Sequence, residues 1–407
     1  MLVPRPVYVD RIIPFMGQHI IKVLTGLRRS GKSSLLRLVA DRLLADGVPA
    51  QRIIFIDCES LEFAPLAQAA PFNHYLTGLM TEPGPYYLFL DEIQEVEQWE
   101  KVVNSLFATR DDIDIYLTGS NSRLLSSELA TYIAGRYVTI PVSTLSFKEH
   151  VAFAQQIDNK TDSTDLSALF ASYLRRGGFP GLYATTYGDE QIDQAVLDIY
   201  GSVLIQDTIN RRHIRNVDML RRIAAFALEN VGNPFSARSV SDYFKSERRS
   251  VDPETVLNYL DALCESFVLV KVPRYDVQGK RLLLTNEKYY AGDHALIHAV
   301  CGYQDRHLPG VLENVVGAEL RLRGYQTTVG KMGEKEVDFV ASRGDDRLYV
   351  QVTTSLIASE ETRVREVAPL AAIRDAYPKL VLSLDQLAGG TDNGIQHLWL
   401  PQWLLGS

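Results

Sequence analysis

The sequence predicts an α/β protein that begins with a parallel sheet flanked by helices. Short apolar runs alternate with segments of helical periodicity, and the runs are rich in Ile, Leu, Val, Phe and Tyr, as buried parallel strands are. A glycine-rich loop follows the first of these runs and opens a helix. At 407 residues the chain is too long for one ordinary core, so further domains are expected after this one.

The glycine-rich loop spans residues 26–33 and reads Gly-Leu-Arg-Arg-Ser-Gly-Lys-Ser. An apolar strand at 20–25 precedes it and leucines at helical spacing follow it, which is the context of a phosphate-binding loop. The backbone N–H groups of such a loop surround phosphate, the lysine reaches the β- and γ-phosphates, and the serine ligates Mg²⁺. The predicted nucleotide-binding residues are Gly26, Arg29, Ser30, Gly31, Lys32, Ser33 and Ser34.

Two acids follow a later apolar strand. Strands are predicted at 52–57 and 86–90, and the second ends on Asp91 and Glu92. In this context Asp91 is expected to join Ser33 in the Mg²⁺ shell, and Glu92 to polarise the attacking water. The plainer interpretation is a capped strand end with solvated acids. Kinases often lack the glutamate, so its presence favours hydrolysis.

A fourth strand at 113–118 runs into a polar turn at 119–122. Nucleotide contacts gather at the carboxyl ends of parallel strands, so Asn121 or Ser120 is a candidate sensor of the γ-phosphate. Asn121 is therefore grouped with the predicted catalytic residues.

These motifs, in this order, resemble prokaryotic AAA-type ATPases fused to an uncharacterised C-terminal region. The resemblance is carried by residues 25–33, 90–94, 118–122 and 145–149, and it continues through Arg176-Gly177-Gly178-Phe179-Pro180. It implies ATP and Mg²⁺ as ligands, a P-loop NTPase three-layer domain and a sheet of strand order 5-1-4-3-2. It also makes Arg136 a candidate arginine finger, acting on its own or a neighbouring subunit. A surface arginine paired with an acid is the alternative.

Four regions are expected along the chain. The ATPase domain covers 1–150, a helical region 151–230, a winged-helix-like domain 231–292, and an α/β restriction-endonuclease-like domain 293–407. The winged helix is predicted from helices opening at 236 and 253, followed by strands at 267–272 and 281–285.

The predicted winged helix makes DNA a candidate partner. The helix that begins at Pro253 would enter the major groove, with Lys245, Arg248 and Arg249 near the backbone. That helix starts with Asp252 and Glu254, which face phosphates poorly. A lid or a protein-contact module is the alternative, because fold does not determine function.

The C-terminal region resembles a nuclease scaffold that lacks part of its metal site. Asp338 matches the metal-binding aspartate of active members, and Glu313 is a second candidate acid. The following acid and lysine positions fall on Gln351 and Thr353, which removes charge twice. Nuclease activity is therefore not expected. His294 and His298 have the spacing of a zinc pair, but ordinary packing is favoured because no third ligand is evident.

Composition restricts the remaining function classes. The net charge of −8 argues against a protein coated in nucleic acid, and Cys58, Cys264 and Cys301 fit neither a disulfide framework nor a zinc site. No apolar run reaches membrane-spanning length, so a cytoplasmic location without a membrane partner is expected.

The predicted function is an ATP-hydrolysing ATPase that couples nucleotide state to its C-terminal half. ATP and ADP are its expected ligands, DNA or a protein its candidate partner, and its oligomeric state is open. The rival hypotheses are a phosphotransferase, an ATP-gated nuclease and a nucleotide-bound scaffold without turnover.

Overall fold

The computed structural model describes residues 2–122, 135–157, 165–183, 187–387 and 389–406. The chain forms two compact units, of which the first contains Met1–Val142 with Glu265–Phe267 and the second contains Ser143–Cys264 with Val268–Ser407. Within the described residues, helices are all too short or too polar to cross a membrane.

The first unit alternates strands and helices from its amino terminus. Helix α1 (Pro6–Ile12) leads into β1, and the phosphate-loop residues lie between β1 and α2. The elements are β1 (Ile21–Thr25), α2 (Lys32–Ala45), β2 (Ile53–Asp57), α3 (Ala69–Leu79), β3 (Tyr86–Asp91), α4 (Trp99–Thr109), β4 (Ile113–Gly119) and β5 (Tyr137–Pro141).

The described strands of this unit form a five-stranded parallel sheet in the order β2-β3-β4-β1-β5. This order confirms the predicted 5-1-4-3-2 arrangement, read from the opposite edge. All the predicted strands are present, with bounds that differ by a residue at most, because each is an apolar run buried in the sheet.

Helices cover both faces of this sheet. Alternate strand residues such as Val23, Leu88 and Ile115 form one buried cluster with Phe72 of α3 and Val103 of α4. Helix α2 contacts β3 and β4 on the sheet as well. The resulting α/β architecture is that of a P-loop NTPase and brings the carboxyl ends of β1, β3 and β4 to one edge.

The second unit begins with helices. Helix α8 is capped by the Asn216 side chain and α9 by that of Ser236. The helices before its sheet are α5 (Phe147–Ile157), α6 (Leu166–Arg176), α7 (Asp189–Ser202), a π-helical segment (Val203–Asn210), α8 (Val217–Glu229), α9 (Ala237–Ser246) and α10 (Pro253–Glu265).

The segment at Gly177-Gly178 joins helices of this unit by a close backbone approach. The Leu145 N–H donates to the Gly178 carbonyl over 2.7 Å, and the Gly178 N–H donates to Asp293 Oδ2 over 2.8 Å. A Cβ atom on Gly178 would lie 2.5 Å from the Leu145 carbonyl oxygen. Glycine is therefore required at this position by space.

A mixed sheet fills the rest of the second unit. Its described strands form an eight-stranded sheet in the order β12-β13-β11-β10-β9-β8-β6-β7. The elements are β6 (Leu269–Asp276), β7 (Arg281–Ala291), α11 (Ala295–Cys301), α12 (Leu308–Leu322), β8 (Gln326–Met332), β9 (Lys335–Arg343), β10 (Asp346–Val352), α13 (Glu360–Ala371), β11 (Lys379–Ser383), β12 (Gly390–Asp392), β13 (Ile395–Trp399) and α14 (Leu400–Leu404).

The predicted winged-helix elements are present in order, but their hairpin belongs to this larger sheet. Strand β6 pairs with β7 on one side and in parallel with β8 on the other, so Arg274 lies opposite Val329. The hairpin is longer than predicted because both strands extend along this sheet. The predicted regions 231–292 and 293–407 consequently share one continuous set of backbone hydrogen bonds.

Candidate nucleotide site

The phosphate loop contains backbone conformations with positive φ angles, which most residues adopt with difficulty. Arg29 and Gly31 have positive φ angles of 64° and 96°, and helix α2 begins directly afterwards at Lys32. Turns of this kind point successive N–H groups inward, and the helix amino terminus adds a positive partial charge. The loop therefore has the local geometry of an anion-binding site.

Gly26 permits the loop to pass close to the segment after β5. The Val142 N–H donates to the Thr25 carbonyl over 2.7 Å, and a Cβ atom on Gly26 would lie only 2.1 Å from the Val142 carbonyl oxygen. Arg29 and Ser34 are exposed, whereas Ser30 is fully buried. Gly26 and Ser30 are thus packed within the loop, whereas the side chains of Arg29 and Ser34 face outward.

The Lys32 ammonium group lies over the loop that it is expected to serve. Its Nζ atom donates to the carbonyl oxygens of Gly26 at 3.0 Å and Leu27 at 3.2 Å. It is also 3.7 Å from Glu92 Oε1. Lys32 is nearly buried, so its positive charge is confined to the loop and the adjacent carboxylate.

Asp91 is joined to the loop helix and to the neighbouring strand. The hydroxyl groups of Ser33 and Thr118 both hydrogen-bond its carboxylate. Burial raises the pKa of Asp91, and these two donors oppose that shift. Ser33 and Asp91 are adjacent oxygen donors, which is the ligand chemistry that Mg²⁺ prefers, so the residues present fit this ion.

Glu92 is held in a strained position beside Lys32. Its backbone has a left-handed conformation, with φ 48° and ψ 48°, and its N–H donates to Thr118 Oγ1 over 2.8 Å. The Gln94 side-chain amide donates to Glu92 Oε2. Left-handed backbone at a non-glycine residue is unfavourable and clusters at functional sites. Together with the contacts of Asp91, these hydrogen bonds hold the carboxylates of Asp91 and Glu92 at the edge of the sheet that carries the loop.

The two remaining predicted catalytic residues lie at opposite ends of the sheet. Asn121 is buried just beyond β4, at the carboxyl edge that carries the loop. Arg136 precedes β5, where Tyr137 pairs with Ile21 at the start of β1. Its guanidinium lies 5.9 Å from the centre of the Phe107 ring. The length of β1, roughly 13 Å, separates Arg136 from its own loop.

Sequence reasoning missed Thr118 and Arg5. Thr118 contacts both acids. It is a polar residue at the end of an apolar strand and belongs to the run 118–122 that carries the family resemblance, but no role was predicted for it. Arg5 is buried, and its Nη1 atom donates to the Ser30 carbonyl over 2.8 Å while its guanidinium lies 4.4 Å from the Tyr8 ring centre. Nothing in the sequence pattern linked residue 5 to the loop.

The histidines considered as a zinc pair have other surroundings. His294 Nε2 hydrogen-bonds the Tyr173 carbonyl at 2.8 Å, and His298 is buried on α11. Among the residues whose placement is described, no His, Cys, Asp or Glu cluster has the arrangement of a metal site.

Two family models match parts of the chain. Residues 18–151 match an AAA domain, and residues 167–307 match a domain of unknown function, DUF8612. The AAA match contains the loop, the paired acids, Asn121 and Arg136.

Relatives of similar length are found in bacteria and archaea. An uncharacterised protein of Haemophilus influenzae is 35% identical over 406 residues, which is 99% of each chain. An uncharacterised protein of Methanocaldococcus jannaschii is 28% identical over 365 residues, 87% of this chain and 79% of its own. Among solved structures, a Walker-type ATPase of Pyrococcus abyssi is similar with a TM-score of 0.52 and 14% identity, covering 74% of this chain and 96% of that one.

Proposed function

The chain belongs to the same family as the Haemophilus influenzae relative and contains an AAA domain at residues 18–151, and we propose that it couples ATP hydrolysis to changes in its second unit. ATP binding and an ATPase fold follow from the family. The proposal concerns the residues that hydrolyse ATP and the target on which hydrolysis acts.

The observation that supports turnover is the convergence of Lys32, Asp91 and Glu92 at one edge of the sheet. Ser33 and Asp91 would hold Mg²⁺, which supplies charge neutralisation at the phosphate oxygens when bound. Lys32 would exchange its loop carbonyl partners for the β- and γ-phosphates. Glu92, held by Thr118 and Gln94, would accept a hydrogen bond from the attacking water and orient it.

Phosphate release from ATP by the purified full chain, without an added acceptor, tests the turnover proposal. Lys32→Ala should lose nucleotide binding, and Glu92→Gln should bind ATP but release phosphate at least about a hundredfold more slowly. Lys101→Ala is a surface control, because Lys101 lies on the exposed face of α4 and bonds Gln98.

The outcomes separate the rival functions. ADP formation that requires an added acceptor, with the γ-phosphoryl group bound to that acceptor and not released as phosphate, would indicate a phosphotransferase. Tight ATP binding with equal, negligible turnover in the wild-type protein and in Glu92→Gln would indicate a nucleotide-bound scaffold. Normal turnover in Lys32→Ala would contradict the site assignment itself.

DNA is the candidate target of the second unit, supported by a basic cluster between α9 and α10. Lys245, Arg248 and Arg249 are all exposed. Arg249 lies 3.3 Å from Asp218, which neutralises part of this charge. The exposed residues of α10 include Glu254 and Asp261, so base contacts by that helix are not favoured. The cluster fits contacts to a phosphate backbone better than contacts to bases.

A binding titration with duplex DNA at several salt concentrations, with and without ATP, tests this target. Replacing the three basic residues by Glu should weaken binding and reduce the salt slope by up to about 3. Arg42→Glu together with Lys101→Glu is a control of the same kind outside the second unit. An equal loss per replaced residue in the two variants would indicate a net-charge effect, and no binding at low salt would favour a protein partner.

A further inference from the structure

A buried lysine lies among the acids of the predicted nuclease-like scaffold. Lys288, on β7, has a side chain that is 2% exposed. Its Nζ atom lies 3.0 Å from Glu313 Oε2, 2.6 Å from Glu336 Oε1 and 3.5 Å from Asp338 Oδ1. The acids come from helix α12 and strand β9, so elements distant in sequence meet at one ammonium group.

The carboxylates of this cluster have further donors from the protein. Tyr290 donates its hydroxyl hydrogen to Glu313 Oε2 over 2.9 Å. The Val352 N–H donates to Asp338 Oδ2 over 2.8 Å. Both oxygens of Asp338 and the inward oxygen of Glu313 are therefore already engaged. A metal ion would have to displace these donors before it could reach ligand distance.

The position that would add an acid to the cluster carries a neutral amide instead. Gln351 accepts from the Asp338 N–H over 3.4 Å and donates to Glu366 Oε2 over 2.9 Å. Gln351 thus bridges two acids without adding negative charge. Three carboxylates remain, and the Lys288 ammonium is the cation within hydrogen-bond reach of all of them.

The Lys288 ammonium group opposes a second cation at this point, both by the space that it fills and by its own positive charge. Mg²⁺ requires ligand oxygens at about 2.1 Å, whereas the Nζ–oxygen distances are those of hydrogen bonds. An ion bridging Glu313 and Asp338 would occupy the same volume as the ammonium group and repel it. Lys288 is fixed in β7 opposite Val272 and is buried, so its side chain does not turn out to solvent without opening this part of the fold.

We infer that the Lys288 ammonium is the resident cation of the Glu313–Glu336–Asp338 cluster, standing in the place of a divalent metal ion and excluding one. The second unit then contains a carboxylate cluster whose cation is a side chain of the protein itself. This inference goes beyond the ATPase proposal and does not depend on it, since no residue of the phosphate loop takes part.

Mn²⁺ titration of the full chain, followed by electron paramagnetic resonance without nucleotide, tests the inference. All variants carry Asp91→Asn, which removes the predicted metal ligand of the ATPase site. The parent and Lys288→Arg, which keeps the positive charge, should show no Mn²⁺ bound at the cluster. Lys288→Met, which keeps the length but not the charge, should bind one additional Mn²⁺, at least about tenfold more tightly than any binding at the cluster in the protein that retains Lys288.

The gained binding should disappear in Lys288→Met combined with Asp338→Asn. Thermal unfolding supplies a second readout, because Mn²⁺ should raise the melting temperature of Lys288→Met and leave that of the parent unchanged. A folded Lys288→Met that gains no Mn²⁺ would overturn the inference.

If Lys288→Met does not fold, the inference is tested on the parent protein, which carries Asp91→Asn and retains Lys288. Mn²⁺ binding by the parent that is lost in either Glu313→Gln or Asp338→Asn would show that the metal and Lys288 coexist, and would overturn the inference. The absence of such binding, or binding that neither substitution affects, supports it.

Discussion

Thr118 on β4 donates its hydroxyl hydrogen to Asp91 at the end of β3. The same oxygen accepts the Glu92 N–H over 2.8 Å. One fully buried hydroxyl therefore positions the predicted metal ligand and the backbone of the predicted water-orienting residue at once. The parallel register of β3 and β4, in which Leu90 lies opposite Leu117, brings these side chains together.

Thr118→Val should lower the turnover number while leaving the fold intact. Valine has nearly the same shape but removes both hydrogen bonds, so the two acids lose their common support. Loss of such an outer partner typically costs about tenfold to a hundredfold in activity. Steady-state ATPase kinetics at saturating ATP and Mg²⁺ measure this change. Thr118→Ser, which keeps the hydroxyl, should retain most of the activity, and wild-type kcat in Thr118→Val would contradict the assigned role.

The parallel sheet was predictable because its signals are local. Each strand is an apolar run of a few residues, and the loop between β1 and α2 carries its chemistry in consecutive residues. Lys32 and Asp91 could therefore be assigned from sequence. The Thr118 contact depends on strand register, which no local pattern specifies.

The carboxylate cluster of the second unit also depends on strand pairing that the sequence does not reveal. Glu313 and Asp338 were identified as candidate acids, but Lys288 is 25 and 50 residues away from them along the chain. It reaches them because β7 extends further than the predicted hairpin strand and joins the sheet that contains β9. Pairings between distant strands are set by the whole fold, so sequence periodicity alone does not reveal them.

Gly178→Ala should destabilise the second unit. The added methyl group would meet backbone atoms of Leu145 at 2.5 and 2.8 Å, and backbone cannot move aside as a flexible side chain does. Overpacking of this kind costs about 1–3 kcal/mol of unfolding free energy. Gly201→Ala is the matched control, because that position on α7 has nothing within 4 Å and alanine favours helix. Denaturant unfolding should show opposite signs for the two substitutions, and equal effects would argue against the close approach.

His298 should make the chain less stable in mild acid. Burial, with a smaller contribution from nearby charges such as Arg175, lowers the pKa of His298 to about 4. The unfolded chain has a histidine pKa near 6.5, so it takes up a proton that the folded chain does not. The stability contributed by neutral His298 is therefore complete above about pH 6.5 and is lost as the pH falls towards 4, by up to about 3 kcal/mol.

Comparison with His298→Leu isolates this effect from other acid-titrating groups. The Nδ1 atom of His298 has no hydrogen-bond partner among the described residues, but the ring also hydrogen-bonds the Leu174 backbone, and leucine removes that bond at every pH. Only the change of the difference with pH therefore reports the titration. The difference in unfolding free energy between the two proteins should change with pH between 6.5 and 4 in favour of the variant. A difference that stays constant over this range would contradict the lowered pKa.

Arg136 is expected to act on the nucleotide of a neighbouring subunit. It lies at the amino edge of the sheet, against Phe107, whereas its own phosphate loop is at the carboxyl edge. Arg136→Ala should then bind ATP normally but hydrolyse it more slowly by about a thousandfold, the scale of an arginine finger. Nucleotide binding and phosphate release, measured on the same preparation, separate the two effects. Wild-type turnover in Arg136→Ala would identify it as a surface residue.

A mixing experiment tests whether that action crosses an interface. Lys32→Ala retains Arg136 but lacks a working loop, and Arg136→Ala retains the loop but lacks the arginine. When the two inactive proteins assemble together, some interfaces combine an intact loop with an intact arginine, so part of the wild-type turnover should return. Recovery should rise with protein concentration, because assembly obeys mass action. Absence of recovery, under conditions where wild-type turnover depends on concentration, would rule out a contribution across the interface.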